Sequence, residues 1–569
     1  MCGILATSRR IFGLEHVTEF LHFRGPDLTN HVEVNGVDFV HTLLSMTGPP
    51  TPQPFISEDE SVVTLFNGEI YNYRDFGDFD SDGYCILPLY EKYGFDCVKH
   101  MDGEFALAII DFEKDILLFS TDVFSIKPLW FAKYGNDFAI SSYQSCIDRL
   151  GFAEPMQVEA NSTYVLRLST LEIIERKDVF SFDLKQYKDN FDDWNKAFEN
   201  AIAKRTQNIK HGIFIGLSSG YDSGAIACEL KKQNVHFTAY SIIGSEKRET
   251  IEERIAITAD PRLIELPLDK FLDSREYLKN YCEEYFLKID NGEQDIVDDL
   301  QVKYVEVCNI LDALEPIYRE LNDPEVTDKV RVNRNEKVLM EKKIARYLEV
   351  IEYRKKGQVV TDDNGAIGLG HICSCGKKEG QLIYLSGNGA DEVFSDYGFG
   401  GVKHFPHSTI GGNYPESLEE VFPWKNFFDN TQRAYLMKEE YVSGSHGIEG
   451  RYPFLDKMVV QEFLWLKPGL KNSKYKSVLH QYMDGSDYPF DEQQKVGFNC
   501  GFTSNMGQTG PFDNEGIYAE LEMVDDLALL PHRTVGVALD ETRIVNWERE
   551  VAKTPRRRNR HNILNEFSS

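Results

Sequence analysis

Basic residues are scarce in this 569-residue chain: 62 Lys and Arg stand against 92 Asp and Glu, a formal charge of −30 at pH 7. A surface of that sign repels phosphate backbones and anionic headgroups, which excludes nucleic acid or membrane binding by the molecule as a whole. The dense basic run, Arg556, Arg557, Arg558 and Arg560, reads as a solvated or electrostatically docked tail. Long apolar runs are lacking as well, none approaching the roughly 18 residues that a membrane helix needs. Cysteine is sparse: ten thiols are scattered, and only Cys373 and Cys375 stand close together. That pair without a second one is no zinc signature, and a disulfide framework would be denser. The opening Met1-Cys2-Gly3-Ile4-Leu5 has neither a basic nor an apolar leader segment, so a cytoplasmic protein with reduced thiols is expected.

What is present is the composition of a folded protein, 42% hydrophobic and 27% charged. At roughly 150 residues per domain, the length predicts two or three domains. The first 170 residues are rich in short β-prone runs: Val62 to Phe66, Phe105 to Ile110, Ile116 to Phe119 and Thr163 to Leu166. Asn67-Gly68, Asp102-Gly103 and Tyr134-Gly135-Asn136 read as turns between them. From about residue 190 the pattern changes. The helical stretch Asp192 to Arg205 precedes a continuous apolar run, Gly212 to Leu217, the mark of a strand buried on both faces. A polar loop, Ser218-Ser219-Gly220-Tyr221-Asp222-Ser223-Gly224, and a helix to Lys232 follow. Leu382 to Leu385, then Ser386-Gly387-Asn388-Gly389-Ala390-Asp391-Glu392, repeats the unit and predicts an α/β region with a doubly wound, mostly parallel sheet. Between the two units, about 280–360, lies a charged insertion with helical periodicity over Lys303 to Leu321 and Lys337 to Arg354.

Cys2 gains meaning if Met1 is removed, because its thiol then lies beside a free α-amino group. An amine with a pKa of about 8 is a usable general base, so no histidine is needed to make the thiolate. Three further clusters accompany it: Arg24-Gly25-Pro26-Asp27, Asn67-Gly68-Glu69-Ile70-Tyr71-Asn72 and Asp102-Gly103-Glu104-Phe105. With Asp122-Val123-Phe124-Ser125-Ile126-Lys127-Pro128-Leu129-Trp130 they resemble the glutaminase domain of class II glutamine amidotransferases, placed at residues 2–185. The resemblance implies an α+β fold of the N-terminal nucleophile type, with stacked antiparallel sheets and helices. It implies that Cys2 attacks the side-chain amide of glutamine, that Asn67 and Gly68 form the oxyanion hole, and that Asp102 holds the α-amino group. Arg24 and Glu69 complete the implied glutamine site.

The loop Ser218 to Ser223 lacks the Gly-Lys-Ser/Thr ending of a Walker A loop. Small residues between a buried strand and a helix N-terminus nevertheless suit an anion. The loop resembles the Ser-Gly-Gly-x-Asp-Ser pyrophosphate loop of ATP pyrophosphatases, with Ser219 in place of the first glycine. Asp391 and Glu392 are carboxylates of the kind that hold Mg²⁺, which takes its other ligands from phosphates and water. Together with Gly447 to Asp456 and Gln494-Lys495-Val496-Gly497-Phe498, these segments resemble the glutamine-dependent asparagine synthetases over roughly residues 2–500.

That resemblance implies an ATP-pyrophosphatase domain at 190–510, followed by an extension at 511–569. ATP would adenylate aspartate, and ammonia from Cys2 would pass through an interior tunnel to the acyl-adenylate, giving asparagine, AMP and pyrophosphate. Contacts to ATP and pyrophosphate are implied for Leu217, Ser218, Gly220, Asp222, Ser223, Ile243, Gly244, Ser386, Gly387 and Lys495, with Asp222 and Asp391 on Mg²⁺. No tightly bound organic cofactor is expected. The partners are glutamine, aspartate or another carboxylate, and ATP; a homodimer is compatible. Three places depart from the family pattern. Leu43 stands where the family has an arginine that grips the α-carboxylate of glutamine. Asn388 stands where it has a glutamate, which can take a proton from ammonia or contact the acyl acceptor. Gly365 to Gly370, around where aspartate is recognised, holds no arginine. Two other readings therefore accompany asparagine synthesis: adenylation of a different carboxylate, and a non-catalytic regulatory descendant.

Overall fold

The computed structural model describes residues 2–242, 247–264, 266–321 and 323–490. Two six-stranded antiparallel sheets come first. One has the order Met156–Gln157, Trp130–Tyr134, Asp137–Ser141, Gly3–Thr7, Val37–Leu43, Leu28–Val34. The other has the order Ile173–Asp178, Ser162–Arg167, Ile116–Thr121, Gly103–Asp111, Val62–Ile70, Phe55–Ile56. Side chains alternate along a strand, and the alternation decides how the sheets stack. Ile4, Ala6 and Phe39 of the first sheet share a core with Val63, Leu65, Ala108 and Phe119 of the second. Leu5 and Val40 face the other way, toward Val17 and Leu21 of the covering helices, while Phe66 and Leu107 face Ile86 and Leu89 of the helix Ile86–Tyr93. Full burial of each large apolar side chain contributes about 1.5–3 kcal/mol, so a one-residue slip of any of these strands would be strongly opposed.

Asn67-Gly68 is not a turn. It lies inside the nine-residue strand Val62–Ile70, with Asn67 opposite Ala106 and Gly68 opposite Phe105. Gly68 has φ +138°, and a Cβ there would stand 1.9 Å from the Glu104 carbonyl oxygen. The glycine that looked like a hairpin signal is required by the close approach of two strands. Asp102-Gly103 likewise opens the strand Gly103–Asp111. Tyr134-Gly135-Asn136 does turn the chain, between Trp130–Tyr134 and Asp137–Ser141.

After the helix Asp192–Thr206 come five parallel strands in the order Asp260–Ile264, Phe237–Ile242, Gly212–Gly216, Gln381–Leu385, Glu449–Arg451. Ile213, Phe214 and Ile215 are fully buried, and helices Tyr221–Lys232 and Asn364–Lys378 pack on their strand. The chain starts at Gly212–Gly216, builds outward to one edge, then returns to build the other. Strand order therefore reverses between Gly212–Gly216 and Gln381–Leu385, where loops leaving the carboxyl ends of adjacent strands open a crevice. Those loops are Ser218 to Ser223 and Ser386 to Gly389.

The charged insertion forms a long helical hairpin, Glu293–Glu320 and Pro324–Lys356. Val297, Tyr304, Val307, Leu311, Val330, Met340 and Ile344 give it a small core of its own. Asp323 caps the second helix, accepting from the Glu325 and Val326 N–H groups just before Pro324. Among the described residues no helix is long and apolar enough to cross a membrane.

Candidate active site

Cys2 heads the strand Gly3–Thr7 and is buried. Its backbone is held at both ends: the N–H donates to Asn67 Oδ1 at 2.8 Å, and the C=O accepts from Arg24 Nε at 2.8 Å. Removal of Met1 would turn that N–H into the α-amine, already fixed beside the thiol. Burial pushes the Cys2 thiol up, so its thiolate needs a base that close. Asn67 is fully buried, and its Nδ2 has no hydrogen-bond partner among the described residues. An unpaired buried donor costs about 1–3 kcal/mol. A donor left open in this way suits an oxygen that gains negative charge.

Arg24, expected to bind glutamine, is engaged elsewhere. Its guanidinium is wholly buried, with Nη2 2.7 Å from Glu440 Oε2 and Nη1 donating to the Glu440 carbonyl and the Tyr143 hydroxyl. Arg24 is thus a strut between the Cys2 backbone and the helix Thr431–Ser445. Asp102 also has a partner. Its carboxylate lies 2.6 Å from Lys204 Nζ and 4.0 Å from Lys457 Nζ, in the seam between the antiparallel sheets and the helix Asp192–Thr206. The acids in the electrostatic surroundings of Cys2 are Glu449 and Asp82, and both also act on Glu69. Asp82 accepts from the Ile70 N–H at 2.9 Å, and burial raises its carboxyl to about 6. Glu69 lies 3.3 Å from Arg451 Nη2; burial, then Glu449, raises it well above the ordinary carboxylate range.

The crevice in the second half is organised by Lys476. Its buried ammonium lies 2.6 Å from Asp222 Oδ1 and 2.8 Å from Asp391 Oδ1, and the Tyr475 hydroxyl donates to Asp391 at 3.1 Å. Burial opposes the charge on Lys476, but the two carboxylates outweigh it and hold its pKa well above the usual value. The two loops approach so closely that a Cβ on Gly387 would lie 2.7 Å from Asp222 Cβ. Ser218 and Ser223 share a hydroxyl hydrogen bond of 2.8 Å, and the Gly220 N–H donates to Ser218 Oγ at 3.1 Å. Arg254, itself buried, donates to the carbonyls of Ser218 and Gly220 at 2.5 and 2.9 Å. With those carbonyls tied down, the loop offers hydroxyls and N–H groups to an anion.

Leu217 is spent inside the fold: its N–H donates to the Tyr240 carbonyl and its C=O accepts from Ser241 Oγ. Ser386 Oγ donates to the Glu439 carboxylate and accepts from the Asn388 N–H. Ile243, Gly244, Lys495 and the extension 511–569 lie outside the described residues. Among the described residues no three His, Cys, Asp or Glu side chains gather as a metal site.

Residues 1–182 match the glutamine amidotransferase domain family. Over a longer span the chain is similar to a probable glutamine-hydrolysing asparagine synthetase of Schizosaccharomyces pombe, 24% identical across 97% of this chain and 93% of the relative. A putative glutamine-hydrolysing asparagine synthetase 1 of Methanocaldococcus jannaschii is 23% identical across 79% of this chain and 72% of its own. Glutamine-hydrolysing asparagine synthetase 1 of Saccharomyces cerevisiae is 23% identical across 84% and 78%. Over most of its length the chain is therefore similar to glutamine-hydrolysing asparagine synthetases.

Sequence reasoning missed Asp82, Arg254 and Lys476. Lys476 sits in Lys471-Asn472-Ser473-Lys474-Tyr475-Lys476, where nothing separates it from surface lysines; its burial and left-handed φ of +45° single it out. Arg254 lies on a helix with no motif around it. Asp82 was hidden in Asp80-Ser81-Asp82-Gly83, an ordinary polar turn by composition. Near Leu43, the cation that reaches the segment is Lys210, whose Nζ lies 2.8 Å from Ser45 Oγ. The Asn388 amide oxygen accepts from Gln432 Nε2 at 2.8 Å.

Proposed function

We propose that the chain is a glutamine-hydrolysing asparagine synthetase, with a glutaminase unit of the N-terminal nucleophile type at 2–185 and an ATP-pyrophosphatase unit at 190–510. One observation carries the reading: a single chain holds both the Cys2–Asn67 pair and the Asp222–Lys476–Asp391 cluster, and the Arg24–Glu440 pair ties the first to a helix of the second half. At the first site the Cys2 thiol passes its proton to the α-amine and attacks the side-chain amide carbon of glutamine. Asn67 Nδ2 donates to the resulting oxyanion, the amine returns the proton to the leaving ammonia, and water clears the thioester. The α-amino group of glutamine, a cation, is matched by Asp82, which has no cationic partner among the described residues, better than by Asp102, which already has Lys204.

At the second site the aspartate side-chain carboxylate attacks the α-phosphorus of ATP and pyrophosphate departs. Lys476 and the loop Ser218, Gly220 and Ser223 neutralise and hydrogen-bond the departing oxygens. Asp222 and Asp391 would hold Mg²⁺: two carboxylates fit a cation that completes its shell with phosphate oxygens and water. That ion supplies further neutralisation of the pyrophosphate when bound. Lys495, which the resemblance also sets against the pyrophosphate, lies outside the described residues. The test is pyrophosphate release from ATP and Mg²⁺ with aspartate, supplied with glutamine or with ammonium. Aspartate-dependent release with either donor is expected; release that ignores aspartate would overturn the assignment of the acceptor.

A further inference from the structure

Ammonia attacking an acyl-adenylate gives an ammonium-like adduct, and the adduct collapses to an amide only after a proton has left nitrogen for a base. Around the crevice the carboxylates of Asp222 and Asp391 both face the Lys476 ammonium. Glu392 is turned into its own segment, accepting from the Gly389 N–H and the Tyr397 hydroxyl. Asn388 presents an amide, which is not a titratable base.

Glu439 differs from all of these. It projects from the helix Thr431–Ser445, is half-buried, and forms no ion pair among the described residues. Its hydrogen bond comes from Ser386 Oγ, which in turn accepts from the Asn388 N–H at 3.0 Å. A carboxylate is therefore set against the same loop in which position 388 carries an amide. The neighbouring residue, Glu440, grips Arg24 and through it the Cys2 carbonyl, so Glu439 lies on the wall between the source of ammonia and the crevice. Burial raises the Glu439 carboxyl to about 7, which leaves it a ready proton acceptor at neutral pH.

We propose that Glu439 is the general base of amide formation, acting from the helix Thr431–Ser445 in place of a carboxylate at position 388. The inference rests on the ligase reading above. In the step, the ammonia nitrogen bonds to the acyl carbon, one N–H proton passes to the Glu439 carboxylate, and the bond from the acyl carbon to the phosphate oxygen breaks with AMP taking its electron pair. Glu439 then returns the proton to water.

The groups facing Glu439 are Lys438 and Glu440 on its own helix, Glu392, Tyr384, Cys373 and Tyr452. Burial pushes Tyr384, Cys373 and Tyr452 upward, so all three stay neutral around pH 7. Three activities of the full chain would be measured: aspartate-dependent ATP–pyrophosphate exchange, glutamine hydrolysis, and amide formation from ammonium. Glu439→Gln keeps the Ser386 hydrogen bond and should leave the first two intact while lowering amide formation about 10²–10⁴-fold. Adding Asn388→Glu to that variant should restore a large part of the loss. Amide formation by folded Glu439→Gln within about threefold of the unaltered protein would overturn the proposal, as would parallel loss of exchange without rescue by Asn388→Glu. If Glu439→Gln does not fold, the unaltered protein decides: at a fixed concentration of un-ionised ammonia, amide formation should rise with pH through about 7 in a way that exchange does not, and coincident profiles would count against Glu439. Absence of aspartate-dependent exchange in the unaltered protein would instead refute the ligase reading itself.

Discussion

Arg24 and Glu440 form an ion pair 2.7 Å long in which neither side chain is exposed. The same guanidinium donates to the Cys2 carbonyl at 2.8 Å, and Lys127 Nζ supports Glu440 from 3.0 Å. One buried cation thus ties the position of the nucleophile to a helix of the second half, so glutamine chemistry should be more sensitive to this pair than acyl chemistry.

Removing one partner of a buried pair strands the other, which usually costs about 3–5 kcal/mol. For Arg24→Met we expect the lower end of that range, because Lys127 still compensates Glu440. The folded variant should lose most glutamine-dependent synthesis and keep most ammonium-dependent synthesis. Denaturant melts and paired donor assays check this; equal loss with both donors would show that Arg24 does not act through Cys2.

Cys2→Ala should abolish glutamine use and spare ammonium use. Asn67→Ala tests the unpaired Nδ2 directly, because losing one oxyanion donor lowers kcat about 10²–10³-fold. Its ammonium-dependent rate should stay unchanged. A fall in KM-controlled binding alone, with kcat preserved, would remove Asn67 from the oxyanion role.

The outline of this protein was legible because its strands carry their burial in their composition. Gly212 to Leu217 announced a doubly covered strand, and the structure places that strand at the point where sheet order reverses. Cys2, Asn67 and Asp222 were legible as motif residues with a local chemical signature. The partners of Arg24 and Asp102 were not legible, because motif membership says that a residue matters without saying to what; only the fold reveals Glu440 and Lys204 beside them. Asn67-Gly68 has the composition of a turn, yet the demand for a Cβ-free strand position is satisfied by the same dipeptide. Lys476 was invisible for a different reason: an ion pair between residues 254 positions apart leaves no local trace.

Lys476→Met leaves the carboxylates of Asp222 and Asp391 facing each other without their shared cation. Pyrophosphate exchange should fall about 10²-fold or more, as when a preorganised charge at a leaving group is lost. Glutamine hydrolysis should persist, because no contact links Lys476 to the Cys2 pocket among the described residues. Lys476→Arg keeps the charge but changes its shape, and should recover only part of the rate. Full exchange activity in Lys476→Met would exclude it from pyrophosphate departure.

Asp82 makes a prediction about stability and pH. Its carboxyl titrates near 3.8 when unfolded and near about 6 in the fold, raised by burial. Between those values the native state retains a proton that the unfolded chain has released, so the contribution of Asp82 to stability is greatest below about pH 4 and is lost as pH rises through about 6. A difference of about two pH units corresponds to a loss on the order of 3 kcal/mol. Asp82→Asn carries no such proton, still accepts the Ile70 N–H through its amide oxygen, and should therefore gain on the unaltered protein as pH is raised. Urea midpoints of both proteins across about pH 4 to 7 measure it: the two curves should diverge in favour of Asp82→Asn, and parallel curves would mean that Asp82 is ionised in the fold as readily as in the open chain.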